Sequence, residues 1–276
     1  MDSDGHFTLV YVGEVFQNAL YLEGLRNAFL IAICTTTLAL AMSLPLAWLA
    51  DHYDFAAKRW LVGALLLPLI LPPFVGALGM QTIFGYQGAL NALLHHVGVL
   101  PAGRGIDWFG GGFWGVVTME ALHLYPIMYL NAAAAFANVD PQLLEAAADA
   151  GCVGFRRFRR ITLPLIMPGV FAGGTIVFIW SFTELGTPLM FHYQRVTPVQ
   201  VFDGIKEIGD NPLPYALVIV MMAAAALLYI LAKTTVGRRT YAMASKAGTA
   251  ARQVRARGRT NIIILACFGI IAGVGV

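Results

Sequence analysis

The chain has 276 residues, of which 58% are hydrophobic and only 12% are charged, and its mean hydropathy is +0.71. Soluble domains average about 25% charged residues, so this composition excludes a soluble protein and predicts an integral membrane protein. The net charge of +3 does not indicate nucleic-acid binding. The Lys and Arg residues stand beside apolar segments, where the orientation of a membrane protein explains them.

Apolar segments long enough to cross a bilayer recur along the chain, and each needs about 20 residues in a helix. We predict spans at 27–50, 60–83, 113–136, 165–190 and 213–232, with a sixth beginning near residue 261. Continuous runs of this length predict an all-α membrane protein. Pro68, Pro72 and Pro73 remove backbone donors inside the second span, so we expect a kink there. Gly173 and Gly174 in the fourth span indicate close packing of two helices.

Lys and Arg are distributed unevenly between alternate connections, and this asymmetry sets the orientation of a membrane protein. The connections 51–59, 137–164 and 233–260 hold 14 of the 18 Lys and Arg residues, and the other connections hold 4. We therefore expect the N-terminus outside and the connection 137–164 in the cytoplasm.

The connection 137–164 is predicted to form two short helices separated by a glycine. Asp140 followed by Pro141 is typical of a helix start, because Asp accepts backbone donors and proline fits the first turn. Gly151 tolerates the left-handed conformation that ends many helices. The second helix is basic and aromatic, with the residues Phe155, Arg156, Arg157, Phe158, Arg159 and Arg160.

The sequence from Glu145 to Pro164 is EAAADAGCVGFRRFRRITLP, which fits EAA, three residues, Gly, nine residues, Ile, one residue and Leu-Pro. This spacing resembles the signature loop of the permease subunits of binding-protein-dependent ABC importers. The resemblance covers essentially the whole chain. It implies the fold shared by molybdate, methionine and maltose permeases, with five core transmembrane helices plus the start of a sixth, in the bacterial cytoplasmic (inner) membrane.

The same resemblance implies how the loop acts. The residues expected to dock on the ATPase are Glu145, Ala146, Ala147 and Gly151, and those expected to anchor the loop to the next span are Ile161, Leu163 and Pro164. The implied partners are two ABC ATPase subunits, a second permease half or subunit, an external substrate-binding protein and the lipid bilayer.

Energy is expected to come from another polypeptide. The sequence has no Gly-Lys pair and therefore no P-loop, so the ATPase would use ATP and Mg while this chain binds no cofactor. We expect no catalytic residue. We also expect no metal site, because Cys34, Cys152 and Cys267 are far apart and form no metal-binding motif.

The segments from Pro101 to Gly151 and from Pro168 to Phe191 resemble the ferric-iron branch of these permeases, whose relatives handle thiamine, phosphonates or polyamines. Ferric iron is the expected substrate. Permeases of that branch are commonly two fused halves, so the chain is interpreted as one half, a truncated permease or a separate subunit. The predicted divisions are an external segment, 1–26, a permease domain, 27–236, with its coupling loop at 140–164, a basic linker, 237–260, and the start of a further span, 261–276.

Ionisable residues inside spans are costly and often mark a transport pathway. Glu120, His123 and Glu184 are the candidates to line it, unless they lie near helix ends or bind one another. Two other functions remain open. An ion-coupled secondary transporter usually carries inverted repeats, and no segment of this sequence is repeated. A membrane enzyme would use Glu120, His123 and Asp107 as its acid-base group, but their spacing matches no motif known to us.

Overall fold

The computed structural model describes residues 10–101, 104–108, 112–206, 212–236 and 254–275, most of them in helices. Residues 1–9 of the predicted external segment and 237–253 of the predicted linker lie outside this description. The chain divides into two compact units. Unit 1 comprises residues 1–35, 72–121 and 178–230, and unit 2 comprises residues 36–71, 122–177 and 231–276.

Helices make up nearly all of the regular structure. They are α1 (Val10–Gln17), α2 (Ala19–His52), α3 (Lys58–Ala64), α4 (Pro73–Phe84), α5 (Ala89–His96), α6 (Phe113–Ala137), α7 (Pro141–Asp149), α8 (Gly154–Arg157), α9 (Leu163–Thr183), α10 (Gly186–Met190), α11 (Thr197–Lys206), α12 (Leu213–Val236) and α13 (Arg259–Gly275). A 3₁₀ turn covers Leu67–Leu69, and a π-helical turn covers Phe158–Thr162. Two short strands, β1 (Tyr53–Asp54) and β2 (Val254–Arg255), pair in parallel.

Three helices in the described part of the chain are long and apolar enough to cross a membrane. They are α2, the continuous helix Gly154–Thr183, and the Leu213–Leu231 part of α12. These helices coincide with the first, fourth and fifth predicted spans. The third predicted span, 113–136, has the extent of α6, a helix of 25 residues that is not among these three.

The second predicted span, 60–83, is not a single helix. The segment Lys58–Leu69 and the segment Pro73–His96 bend by 98° relative to each other. Pro72 is extended, with φ −58° and ψ 139°, and Pro73 begins α4. A helix cannot run through this pair, because proline has no N–H and disfavours a helical residue before it. The predicted kink is confirmed, and it is a break between two helices.

The fourth predicted span, 165–190, is also shorter than expected, because α9 ends at Thr183 and α10 begins at Gly186. An unbroken helix would need Pro188 to donate to the carbonyl of Glu184, and proline has no N–H. The Glu184 carboxylate instead accepts the N–H of Gly186 at 3.0 Å. The side chain thereby satisfies a donor at the start of the new helix.

The core of unit 1 joins the first part of α2 to α4, α6 and α11, with Ile31, Ala77, Val117 and Val199 buried together. A second cluster packs α1 against α12 through Val15 and Leu217. An ion pair, Arg195 Nη1 to Glu23 Oε1 at 3.3 Å, ties the connection before α11 to α2. Unit 1 is therefore held by apolar packing with a polar tie at its surface.

Unit 2 depends on the close approach of α6 and α9. A Cβ atom on Gly173 would lie 2.8 Å from the Cβ of Asn131, and one on Gly169 would lie 2.6 Å from the Cβ of Ala135. Only glycine allows backbones to come this close, which confirms the packing role predicted for Gly173.

The helix α13 belongs to the same core. Its buried residues Ile264, Phe268 and Ala272 recur every four positions and form one face. The rings of Phe268 and Phe55 have centroids 5.0 Å apart, and Ala256 N–H donates to the Asp54 carbonyl at 2.8 Å. The segment predicted as the start of a further span therefore helps to close unit 2.

We expect Phe268→Ala to destabilise the protein, because it leaves a cavity against Phe55. Truncation of a buried Phe to Ala lowers the free energy of unfolding by about 3 kcal/mol. Ile270→Ala is the control, since Ile270 is 64% exposed on the same helix. The midpoint of thermal unfolding in detergent should fall for Phe268→Ala and stay unchanged for Ile270→Ala. Equal midpoints for the two variants would contradict the placement of α13.

Candidate functional site

The first helix of the coupling loop starts as the sequence predicts. Asp140 Oδ1 accepts the N–H of Gln142 at 2.9 Å, and Pro141 occupies the first turn of α7. The side chain thereby satisfies one of the donors that every helix start leaves open.

The end of α7 is a paired hydrogen-bond motif that depends on Gly151. The Gly151 N–H donates to the Ala148 carbonyl at 2.9 Å, and the Cys152 N–H donates to the Ala147 carbonyl at 2.8 Å. Gly151 has φ +77°, the left-handed conformation that this motif requires. The two bonds hold the chain at a defined angle where it leaves the helix.

The predicted docking residues do not share one environment. Glu145, Ala146 and Gly151 are exposed, whereas Ala147 is buried. Leu143 is 48% exposed and lies three residues before Ala146, so the two side chains share one face of α7. The exposed face of α7 therefore combines small, apolar and acidic groups, and Ala147 faces the interior of unit 2. By its helical spacing the sequence predicts that Leu143, with Leu144, Ala147 and Ala148, forms a face that can enter a groove, and Leu143 is the exposed member of that set.

The second helix of the loop runs directly into the next span. In the π-helical turn, Leu163 N–H bonds to the carbonyl of Phe158, five residues earlier. Pro164 lacks an N–H and its ring displaces the carbonyl four residues before it, which accounts for a wider turn at this point. Ile161, Leu163 and Pro164 are half-buried here. They lie at the junction where the sequence predicted an anchor.

The second helix of the loop carries four arginines, and their surroundings are known for the described residues. Arg156, Arg159 and Arg160 are exposed and Arg157 is half-buried. None of the four forms an ion pair with a carboxylate in the described part of the chain. Phe155 is 76% exposed and stacks on Phe158 with ring centroids 6.3 Å apart.

Glu120 lies in a buried polar cluster of unit 1 that sequence reasoning did not predict. Its side chain is on α6 and only 2% exposed. Its Oε2 accepts hydrogen bonds from the hydroxyl of Ser181 on α9 and from that of Thr35 on α2, the latter at 3.3 Å. Three helices of unit 1 thus meet at one carboxyl group. Neither hydroxyl could be assigned to this cluster from the sequence, because they lie 61 and 85 positions from Glu120.

Of the other two predicted pathway residues, Glu184 lies near enough to Glu120 for their charges to interact, and His123 lies in unit 2. His123 is buried in unit 2, where its ring bonds to the backbone of Pro68. Glu184 is half-buried in unit 1, just past the end of α9. No group of three or more His, Cys, Asp or Glu side chains among the described residues could hold a metal ion.

Residues 39–241 match the family described as binding-protein-dependent transport system inner membrane component. The chain belongs to this family. It is 31% identical over 215 residues to a probable molybdenum ABC transporter permease protein of Haloferax volcanii, with 77% of this chain and 76% of the relative covered. It is 33% identical to the molybdenum transport system permease protein of Escherichia coli, with 60% of this chain and 71% of the relative covered.

A further relative is the spermidine/putrescine transport system permease protein of Haemophilus influenzae. It is 31% identical to this chain, and the alignment covers 59% of this chain and 56% of the relative. Among solved structures, a bacterial importer of the acidic polysaccharide alginate has a TM-score of 0.66 at 16% identity, with 87% of this chain and 86% of that chain covered. A methionine ABC transporter gives a TM-score of 0.59 at 14% identity, with 80% and 97% covered. These structures confirm the predicted permease fold.

We expect Glu120→Ala to destabilise the protein more than Glu120→Gln. The alanine leaves two buried hydroxyls without an acceptor, at a cost of about 1–3 kcal/mol, whereas glutamine keeps a carbonyl oxygen in place. The unfolding midpoint in detergent measures the difference, and Glu14→Ala, at an exposed position of α1, is the control. A Glu120→Ala protein as stable as the unaltered chain would show that the cluster does not hold the helices.

Proposed function

We propose that this permease subunit of an ABC importer couples its membrane helices to a separate ATPase through α7 and the loop that follows. The observation that carries the proposal is the geometry of α7. This helix is capped at both ends, exposes Leu143, Glu145 and Ala146, and lies between the long helices α6 and α9. A short rigid helix with an exposed face can enter a cleft of a partner protein.

The loop can transmit a displacement because it has little freedom to bend. Gly151 is held by the two hydrogen bonds that end α7, and the second helix continues through the π turn into α9. Ala147 lies on the buried face of α7, and Glu145 and Ala146 lie on the exposed face, where a partner can contact them. A force applied to α7 therefore reaches α9 through packed and hydrogen-bonded groups.

Assembly with an external binding protein and a second permease half or subunit is part of the same proposal. One solved structure with this fold is an alginate ABC transporter in complex with a pentasaccharide-bound periplasmic protein, with a TM-score of 0.66. The assembly also requires a defined orientation in the membrane. The excess of Lys and Arg in the connections 51–59, 137–164 and 233–260 supports one orientation. That excess favours α7 in the cytoplasm, where ATP is available.

For the substrate we propose molybdate. The supporting observation is that the relatives from Haloferax volcanii and Escherichia coli, which are 31% and 33% identical to this chain, are molybdenum permeases by name. The prediction of ferric iron finds no support in these relatives. Glu120, one of the residues expected to bind a hard cation, has one carboxylate oxygen committed to Ser181 and Thr35. A polyamine is the second candidate, favoured by the Haemophilus influenzae relative.

Glu145→Lys should abolish the stimulation of ATP hydrolysis by substrate-loaded binding protein, because it reverses a charge on the exposed face of α7. Glu14→Lys is the matched control, a reversal at an exposed position of α1. The measurement is ATP hydrolysis by the assembled transporter in proteoliposomes. Normal stimulation of the Glu145→Lys complex would contradict docking through α7.

Gly151→Ala should weaken the same stimulation by loosening the end of α7. An alanine in the left-handed region costs about 1–2 kcal/mol, so part of the population would leave the observed turn. Gly13→Ala, at an open helical position, controls for the added methyl group. Stimulation that is unchanged in Gly151→Ala would show that the angle of this turn does not matter for coupling.

Uptake of labelled molybdate should require the ATPase, the binding protein and ATP in proteoliposomes. Excess ferric iron or spermidine should not compete. Competition by spermidine alone would shift the assignment to a polyamine permease. Uptake that continues without ATP under a held ion gradient would favour the secondary transporter instead.

A further inference from the structure

A groove of about 500 Å³ lies in unit 2 between the end of α2 and the second helix of the coupling loop. One wall carries Leu44, Trp48 and His52 of α2, and the other carries Phe155, Arg157 and Phe158. The volume is in the range of cavities that hold small organic ligands. The groove is a different surface from the exposed face of α7 that is proposed to dock on the ATPase.

The groove is apolar along most of its length. The stretch from Leu44 to His52 corresponds to roughly 12 Å of helix, within a helix that is long and apolar enough to span the membrane. Trp48 stacks near His52 with ring centroids 4.8 Å apart, and His52 Nδ1 lies 3.1 Å from the Trp48 carbonyl. Trp is typical of the boundary between hydrocarbon and head groups. The Leu44 end of the groove therefore lies deeper in the bilayer than the His52 end.

The wall of the groove that faces α2 is basic. Arg157 lies on this wall near His52, and Arg156, Arg159 and Arg160 surround an adjoining cavity of about 460 Å³ beside Phe155. None of these arginines has a carboxylate partner within the described residues. The Asp51 carboxylate lies 3.4 Å from His52 Nδ1 and places one negative charge near this part of the groove, against four arginines. Four guanidinium groups next to an apolar cavity favour a ligand that has an anionic head and an apolar tail.

We propose that the groove binds an anionic phospholipid of the cytoplasmic leaflet, with an acyl chain along Leu44 and Trp48 and the phosphate at Arg157. The charge distribution of the chain favours this leaflet, because the connections on that side carry most of its Lys and Arg. A free phosphate would leave the apolar wall empty. A soluble ATPase would not reach the Leu44 end, because α2 is inside the bilayer there.

A lipid in this position would join two elements of unit 2 that matter for coupling. It would contact α2 on one side and the Phe155–Phe158 pair on the other. The second helix of the coupling loop would then be held at the membrane surface by the lipid as well as by its continuity with α9. The content of anionic lipid in the membrane would in this way influence how firmly the loop is positioned.

Quenching of Trp48 by brominated phospholipids tests the proposal. The full chain is placed in phosphatidylcholine nanodiscs that contain a small mole fraction of brominated phosphatidylglycerol or, in parallel, brominated phosphatidylcholine. Subtracting the signal of Trp48→Phe isolates the contribution of Trp48 from the other tryptophans. We expect brominated phosphatidylglycerol to quench Trp48 at about a fivefold lower mole fraction than brominated phosphatidylcholine. One basic residue near an anionic head group contributes about 1 kcal/mol of binding free energy, which corresponds to this factor.

Two variants separate charge from shape. Arg157→Gln should remove most of the preference for phosphatidylglycerol, whereas Arg104→Gln, an equal loss of charge at an exposed position of a different connection, should retain it. Leu44→Phe should reduce quenching by filling the groove without changing its charge. Each variant is first checked for an unchanged unfolding midpoint.

Three results would overturn the proposal. The first is equal quenching by the two lipids in the unaltered chain. The second is an equal loss of preference in Arg157→Gln and Arg104→Gln, which would indicate a general effect of charge. The third is loss of selective quenching when the ATPase partner is added, which would show that a protein covers the groove.

Discussion

The structure depends on one constraint, which is that backbone N–H and C=O groups have no water to bind inside a bilayer. Long apolar helices satisfy it by themselves, so wherever a helix breaks, some local group must replace the lost bond. At the end of α9 the replacement is the Glu184 carboxylate on Gly186 N–H. At the start of α9 it is the wider π turn before Pro164. The breaks are therefore specified by individual residues.

The coupling loop follows the same rule outside the apolar segments. Asp140 completes one end of α7, and the Gly151 turn completes the other. Because both ends are satisfied locally, α7 keeps its shape while its outer face stays free of contacts within unit 2. Such an element can pass a displacement to α9 without first losing it to local bending. The same construction explains why a polar, basic segment can be rigid between two apolar ones.

Buried polar groups have a different role in unit 1. Glu120 is the kind of intramembrane residue that usually suggests a pathway, yet it is surrounded by helices and bound by the hydroxyls of Thr35 and Ser181. Polar side chains that bind across helices hold membrane helices together where apolar packing alone gives little preference. A carboxyl group in a span can thus serve assembly. In this protein Glu120 makes hydrogen bonds of that kind through Oε2.

The sequence by itself determined the properties that depend on local order along the chain. Apolar length predicted the long helices of the first, fourth and fifth spans, Asp140 and Gly151 predicted the ends of α7, and the Glu145–Pro164 spacing indicated the permease family. Only the tertiary structure decided the properties that depend on distant residues meeting. These include the burial of Phe268 against Phe55 and the approach of Thr35 and Ser181 to Glu120. The physical reason is that a cap or a proline acts within one helical turn, whereas a packing partner or a hydrogen-bond partner is chosen by the whole fold.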